Sequence, residues 1–366
     1  MKYLTTLTKK DLIGKRVLVR VDYNVPIRKN KVTEAFRIDE SLATIKFLLK
    51  NGARVILISH LGSDGKASLA PVAKYLATKK LPVKLLKDFK AVQKSTSPLI
   101  LLENIRRFEG ELNNSPILAK QLASLADLFV NDAFSVSHRL QASVVGVPKF
   151  LPSFVGLALE REVDELVSLV KPAGPLVLVI GGVKFSTKLP LLQKFLNKAE
   201  FICVGGALAN TLLSARGIAI GISVTEKLTP NLIKLAKNRK IILPIDAVVQ
   251  TGKKIAVKNI NYLNPNDKIV DIGPMTVKLF TAELLDTRII LWNGPLGLTN
   301  NGFSAGTIGL AKALPKKSFS VLGGGDSLAV LRQAKLLTKF SFVSTGGGAL
   351  LDYLVHGTLP GLKALR

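Results

Sequence analysis

Glycines gather at four places in the second half of this sequence: Gly181-Gly182, Gly205-Gly206, Gly323-Gly324-Gly325 and Gly346-Gly347-Gly348. Each cluster follows a run of apolar residues and precedes a segment of helical period. A glycine inside a helix or strand costs about 0.5–1 kcal/mol against alanine, so three in a row mark a place where bare backbone is wanted. A strand–glycine–helix junction turns backbone N–H groups toward the positive end of a helix, where an anion binds. In "SVLGGGDSLAV" the glycines lead into Asp326 and Ser327, placed to cap the helix or, for Asp326, to meet a phosphate-bound metal. One such loop reads equally well as a tight turn with an ordinary cap. Four in one half of a chain read as a phosphate-binding face. The loop "GGVKFSTK" adds two cations, Lys184 and Lys188. Neither G-x-x-x-x-G-K-[ST] nor G-x-G-x-x-G occurs, and the protein-kinase motif set is missing.

The first half carries different chemistry. Its apolar runs end in Asp22, Asn24, His60, Asn131 and Asp132, with Arg37, Arg106 and Arg139 in or near the adjoining loops. Arginine forks bind phosphate or carboxylate through two parallel hydrogen bonds. A lone arginine is by default a surface charge. As a set at one sheet edge, the three suit a small anion carrying phosphate and carboxylate groups. One half suited to a nucleotide and one to a small phosphorylated acid suggest phosphoryl transfer across a cleft.

The elements that must position these groups follow one pattern. Short runs such as "KRVLVRV", "ARVILIS", "PLVLVIGG", "RKIILPIDAVV", "TRIILWN" and "SFSVLGGG" alternate with helical segments. Continuous β-branched and leucine runs between helices predict parallel strands buried on both faces. The expected fold is α/β: two doubly wound, Rossmann-like parallel-sheet domains joined by a helix and hinge, with ligands at the carboxyl ends of the strands. The expected divisions are a domain over 1–155, a connecting amphipathic helix within 156–172, a second domain over 173–350 and a terminal segment over 351–366. Leu157, Leu159, Val163 and Leu166 give the connector its apolar stripe, and it is expected to end near Pro172.

Bulk properties narrow the field. The chain has 366 residues, 48% apolar, a length suited to two domains rather than one core. No apolar run approaches 18 residues, so no membrane span is expected, and the start lacks a signal-peptide pattern. One cysteine, Cys203, allows no internal disulfide, and the reading is a cytoplasmic protein. Three scattered histidines offer no structural zinc site. Lys and Arg total 52 against 25 Asp and Glu, a net charge of +27. The basic residues are dispersed and not interleaved with aromatics. Lysine bias with a phosphorylated substrate accounts for this better than nucleic-acid binding, which stays the minority alternative.

"VRVDYNVP", "RVILISHLG", "LLENIRRFEGE", "FVNDAFSVSHR", "GGVKFSTK", "DIGPMTV", "WNGPLG", "VLGGGDS" and "VSTGGGA" occur in an order that resembles the phosphoglycerate kinase family. The resemblance runs from about residue 11 to the closing "LPGLKAL". It implies the two-domain fold of that family, a hinge-bending and monomeric enzyme, and reversible transfer between ATP and the carboxylate of 3-phosphoglycerate with Mg2+, giving ADP and 1,3-bisphosphoglycerate. Carried over position by position, it implies that Asp22, Asn24, Arg37, His60, Arg106 and Arg139 hold the glycerate substrate. It also implies that Arg37, Lys184, Gly324 and Gly347 serve the transfer itself. The nucleotide and its phosphates would meet Gly182, Lys184, Lys188, Gly205, Gly206, Asn293, Pro295, Asn300, Gly323, Gly324, Gly325, Asp326 and Ser327, with Asp326 on the metal side. Residues after about 351 are expected to return to the first domain.

Four positions depart from the family pattern. Ser63 stands where an arginine helps hold substrate phosphate, unless Lys66 or Arg107 takes that place. Thr187 replaces an aspartate and is expected to cap the helix that carries Lys188. Asn300 replaces an acidic residue at the ribose, and Gln141 replaces a histidine. The chain is also short between "LLSARG" and "DIGPMTV".

Overall fold

Runs of Val, Ile and Leu with few charges suit strands covered on both faces, and a computed structural model places them in two parallel sheets. It describes residues 1–170, 172–183 and 185–366. Lys184 therefore lies outside the described residues. The chain forms two compact units, Met1–Leu166 with His356–Arg366, and Val167–Val355.

The first unit's sheet runs in the order Lys84–Leu86, Leu99–Leu102, Arg54–Ile58, Arg16–Arg20, Leu128–Asn131, Ser153–Val155. The chain builds outward from Arg16–Arg20 first to one side and then to the other. Its topological switch point thus lies between Arg16–Arg20 and Leu128–Asn131, where ligands bind in open parallel sheets. The register brings the strand ends level, with Arg20 opposite both Ile58 and Asn131. Residues 22, 60 and 132 therefore leave the sheet at one edge.

The second unit repeats the logic. The order is Ile241–Ile242, Phe201–Val204, Leu176–Ile180, Ile289–Asn293, Phe319–Gly323, Phe342–Val343. Here the switch point falls between Leu176–Ile180 and Ile289–Asn293. One row of the register holds Val204, Ile180, Asn293 and Gly323. The loops that begin at Gly181, Gly205, Gly294 and Gly324 thus start side by side. Trp292, wholly buried, packs edge-on against Phe340 beneath this row, ring centres 5.9 Å apart.

The run "RKIILPIDAVV" is not one strand. Ile241–Ile242 belongs to the parallel sheet, while Asp246–Thr251 pairs antiparallel with Lys254–Asn259 and Lys268–Ile272 in a separate sheet. Pro244 lies in the break, where its missing N–H would have left a ladder bond unmade.

The amphipathic segment forms the helix Leu157–Val170, with Leu159, Val163, Leu166 and Leu169 buried. Its first N–H groups have no partner within the helix. Asp132 Oδ1 accepts from Ala158 N at 2.9 Å and Leu159 N at 3.3 Å, and Thr44 Oγ1 accepts from Leu157 N at 3.0 Å. At the other terminus of the chain, the helix Pro360–Lys363 docks within the first unit, Gly361 N donating to Ser137 O at 2.7 Å.

Two capping expectations are corrected. The helix after the triple glycine spans Gly325–Gln333, with Gly324 as its N-cap at φ +94°. Asp326 and Ser327 are its second and third residues, so neither caps it: the helix starts two or three residues earlier than an Asp or Ser cap would require. Likewise Lys188, not Thr187, is the N-cap of the helix Leu189–Leu196, and its side chain is turned to other work.

Candidate functional site

In the first unit, five chain segments deliver polar groups to the carboxyl edge of the sheet. Asp22 and Asn24 follow Arg16–Arg20, and Arg37 is the second residue of the helix Phe36–Lys50. His60 follows Arg54–Ile58. Arg106 lies in the short turn Ile105–Arg107, and Arg139 follows the turn Phe134–Val136. The structure brings these together. Arg37 Nη1 is 2.9 Å from Asp22 Oδ2 and donates to Asn24 O at 3.2 Å. Asn24 Oδ1 accepts from Gly62 N at 3.0 Å, and Arg106 Nη1 donates to Gly62 O. Arg106 Nε is buried with no hydrogen-bond partner. Burial lowers the pKa of Arg106 and the neighbouring Arg139 lowers it further. The edge therefore holds like charges that a dianion would relieve.

His60 is 2% exposed. Burial first, then the cations Arg20, Arg106 and Arg139, push its pKa down to about 3 against the opposing pull of Asp22. Its Nδ1 lies 3.4 Å from Arg20 Nη2. A guanidinium only donates, so Nδ1 accepts, and the neutral ring carries its proton on Nε2. Burial also raises the Asp22 carboxyl. Arg37 and hydrogen bonds from Ser135 Oγ and Asn24 N outweigh it and hold Asp22 below its usual range.

Residues behind this edge carry it. Arg20 is fully buried, donating Nε to Ser143 Oγ at 2.9 Å. Ser143 Oγ in turn donates to Glu111 Oε1 at 2.6 Å. Asn104 Nδ2 donates to Leu61 O at 2.7 Å and Ala67 O at 2.9 Å, fixing both ends of the loop that bears Ser63. Arg107 is spent on the same loop, donating Nε to Gly65 O at 3.1 Å and Nη2 to Lys66 O at 3.0 Å. Ser63 and Lys66 are exposed, and Gln141 is buried at the start of the turn Ala142–Gly146. Arg20 and Asn104 escaped the sequence reading. The signal available for Asn104 was its place in "ENIRR", directly after an apolar run.

In the second unit the loops around the switch point enclose an ammonium. Lys188 is 9% exposed, and its Nζ donates to Gly181 O. A Cβ on Gly182 would stand 2.8 Å from that Nζ, and one on Gly294 2.3 Å from it. Gly294 has φ +93°, so glycine is required there twice over, by conformation and by the lysine's approach. Burial pushes the Lys188 pKa down to about 8, and nearby Asp326 opposes that shift.

Two donors beside these loops have nothing to bond. Asn293 Nδ2 and Ser327 Oγ are buried and without partners. A Cβ at Gly324 would lie 3.5 Å from the first and 3.6 Å from the second, so both flank the N-terminus of the helix Gly325–Gln333. Asp326 is exposed in its first turn. Gly347, φ +51°, precedes the helix Gly348–His356 and has no atom within 4 Å of its Cβ position.

Gly205 packs against Leu296, and Gly206, φ +64°, lies close to Gly182 N and Pro295 O. A narrow slot opens beside Gly206, walled by Ala207, Asn210, Val224, Ile269, Leu296 and Leu298. Gly205 and Pro295 form its backing rather than its wall. Asn300 is exposed in the short turn Thr299–Asn301 just beyond Leu298. Among the described residues no group of three or more His, Cys, Asp or Glu side chains is placed to hold a metal ion.

Clustered arginines at one parallel-sheet switch point, and glycine turns with orphaned donors at another, define the class: a phosphotransferase on an α/β framework. Comparison with known proteins gives the family. The family description "Phosphoglycerate kinase" matches residues 7–356. A phosphoglycerate kinase of Dictyoglomus turgidum is 41% identical over 391 residues, covering 100% of this chain and 99% of the relative. One from Rubrobacter xylanophilus is 40% identical, covering 97% and 96%. Among solved structures, phosphoglycerate kinase from Coxiella burnetii aligns with a TM-score of 0.85 at 40% identity, over 99% of this chain and 97% of that one. The enzyme from Pyrococcus horikoshii OT3 aligns with a TM-score of 0.88 at 28% identity, over 100% and 98%. The chain belongs to the phosphoglycerate kinase family, glycolytic phosphotransferases that use ATP.

Proposed function

We propose that the first unit holds 3-phosphoglycerate and the second holds the nucleotide, and that the residues described above divide the work between them. The observation that carries this reading is the pair of orphaned donors, Asn293 Nδ2 and Ser327 Oγ, at a glycine-lined helix N-terminus. Buried donors without partners cost free energy that an anionic oxygen restores. Lys188 adds charge beside them, and Lys184 is assigned to the transferring phosphoryl group. Arg37, Arg106, Arg139 and neutral His60 grip the acceptor, with Asp22 and Asn24 orienting Arg37 and the Gly62 loop.

The acceptor is a carboxylate, already anionic at neutral pH, so no general base is needed. Its oxygen forms the new bond to the γ-phosphorus, the β–γ bridging P–O bond breaks, and the electron pair leaves with ADP. The protein's contribution is alignment and positive character around the phosphoryl oxygens. Arg37 supplies it from the acceptor side, and Lys188, Lys184 and the N–H groups after Gly324 and Gly347 supply it from the nucleotide side. Asp326, a single exposed carboxylate in a first helical turn, fits an ion that keeps most of its ligands from phosphate and water, as Mg2+ does. When bound there, Mg2+ would neutralise charge on the β and γ phosphates. The reading includes a hinge in the helix Leu157–Val170 or the "STGGGA" segment, closing to exclude water as a competing acceptor. It also includes a monomeric, cytoplasmic enzyme. No helix among the described residues is long and apolar enough to cross a membrane.

An enzyme-linked assay with Mg2+, ATP and 3-phosphoglycerate tests the reading. Turnover well above a Lys184→Ala control supports it; turnover equal to that control, or only with another phosphorylated acid, refutes it.

A further inference from the structure

Glu111 and Ser143 are buried, 1% and 0% exposed, and neither belongs to the set that meets the substrate. Their two turns are tied by Ala142 N, which donates to Glu111 O at 3.0 Å. Glu111 spends both carboxylate oxygens on Ser143. Oε2 accepts from Ser143 N at 3.0 Å, and Oε1 accepts from Ser143 Oγ at 2.6 Å. A hydroxyl has a single proton. Given to Glu111, it leaves only lone pairs for Arg20 Nε, which donates to Ser143 Oγ at 2.9 Å. Val21 O holds the guanidinium at a second point by accepting from Nη1. With Nε and Nη1 fixed, the planar fork points Nη2 at His60 Nδ1, 3.4 Å away. Burial lowers the pKa of Arg20, and Glu111, ahead of Asp22, opposes that shift as its counter-charge.

The bond made by one imidazole nitrogen decides which nitrogen carries the proton. A neutral ring offers one donor and one acceptor, and an anionic oxygen is met only by the donor. We propose that Glu111 and Ser143 are positioning residues that act through Arg20 to fix the tautomer of His60, leaving Nε2–H as the donor to the substrate. This rests on the proposal that the first unit holds 3-phosphoglycerate. Position 111 calls for a carboxylate, because both Ser143 groups donate to it. A glutamine there would face one of them with its own NH2. Turned to Ser143 N, it sets donor against donor. Turned to Ser143 Oγ, it drives the hydroxyl proton toward Arg20 Nε, which can only donate.

The chain has three histidines, so heteronuclear NMR of the imidazole nitrogens in the full chain resolves His60, assigned by its loss in His60→Gln. Without ligand at neutral pH, the wild type should show Nδ1 bare and Nε2 protonated. Glu111→Gln and Ser143→Ala should each give a mixed or reversed tautomer. Both should weaken 3-phosphoglycerate about tenfold, one charge-assisted bond, and leave ADP within about twofold. The retained ADP affinity separates this loss from a general folding defect. A wild-type ring protonated on Nδ1, or on both nitrogens, would overturn the inference whether or not the variants fold. So would the wild-type tautomer surviving in either variant. A changed tautomer with 3-phosphoglycerate affinity unmoved would instead overturn the placing of the substrate at His60.

Discussion

Ser327 is the sharpest place to separate function from stability. Its hydroxyl is fully buried in the first turn of the helix Gly325–Gln333 and has no partner. An unsatisfied buried hydroxyl costs about 1–3 kcal/mol. Alanine removes it without opening a cavity of note, and is a better helix former than serine by about 0.5 kcal/mol. Ser327→Ala should therefore stabilise the nucleotide-free protein by about 1 kcal/mol or more, which raises Tm by roughly 2–4 °C for a unit of this size. The same change removes a donor to phosphate, a charge-assisted bond of about 1.5–3 kcal/mol, so ADP should bind roughly 10- to 150-fold more weakly. Thermal unfolding with and without ADP, together with titration calorimetry, reads both. The curves should cross: the variant is the more stable protein without ADP and the less stable one at saturating ADP for the wild type. A variant that is destabilised without nucleotide, or that binds ADP as tightly as the wild type, refutes the reasoning about the orphaned hydroxyl.

Asp132 makes the fold sensitive to pH. Burial raises its pKa to about 7, with hydrogen bonds from Thr44, Ala158 and Leu159 opposing. A carboxyl that is harder to ionise folded than unfolded contributes stability below the unfolded value near 4 and loses it as pH rises through about 7. Asp132→Asn keeps an acceptor for the connector helix and removes the charge. It should be more stable than the wild type by up to about 4 kcal/mol at pH 8 and indistinguishable near pH 4, as urea unfolding at the two pH values will show. Arg107 is held by the Gly65 and Lys66 carbonyls and does not stand in for the missing arginine at position 63. Ser63→Arg should therefore tighten 3-phosphoglycerate binding by about tenfold, one charge-assisted contact; unchanged affinity would mean another residue already supplies that contact.

Legibility in the sequence followed the physics of each signal. Buried parallel strands announce themselves as apolar runs, and the polar residues at their ends fall together because the register is flush, Arg20 against Ile58 and Asn131, Ile180 against Asn293. The glycine clusters were legible as backbone approach, and Gly294 and Gly324 have the positive φ that this needs. The groups behind the edge were not. Arg20 sits in "RVLVRV" looking like the exposed half of an alternating strand, yet it is wholly buried, paid for by Ser143 and Glu111 more than a hundred and about ninety residues away in sequence. Such long-range pairing leaves no local mark. The cap before this helix was misplaced by two or three residues because glycine at positive φ, not the oxygen of Asp326 or Ser327, starts the helix at Gly324.

The central claim is that substrate and nucleotide are held by different units. Parallel titrations of 3-phosphoglycerate and ADP into Arg37→Ala and Ser327→Ala test it directly. Arg37→Ala should weaken 3-phosphoglycerate tenfold or more and leave ADP within about twofold, while Ser327→Ala does the reverse, each lost charge-assisted bond reading as at least a factor of ten. Loss of ADP affinity in Arg37→Ala with 3-phosphoglycerate unaffected would contradict the account.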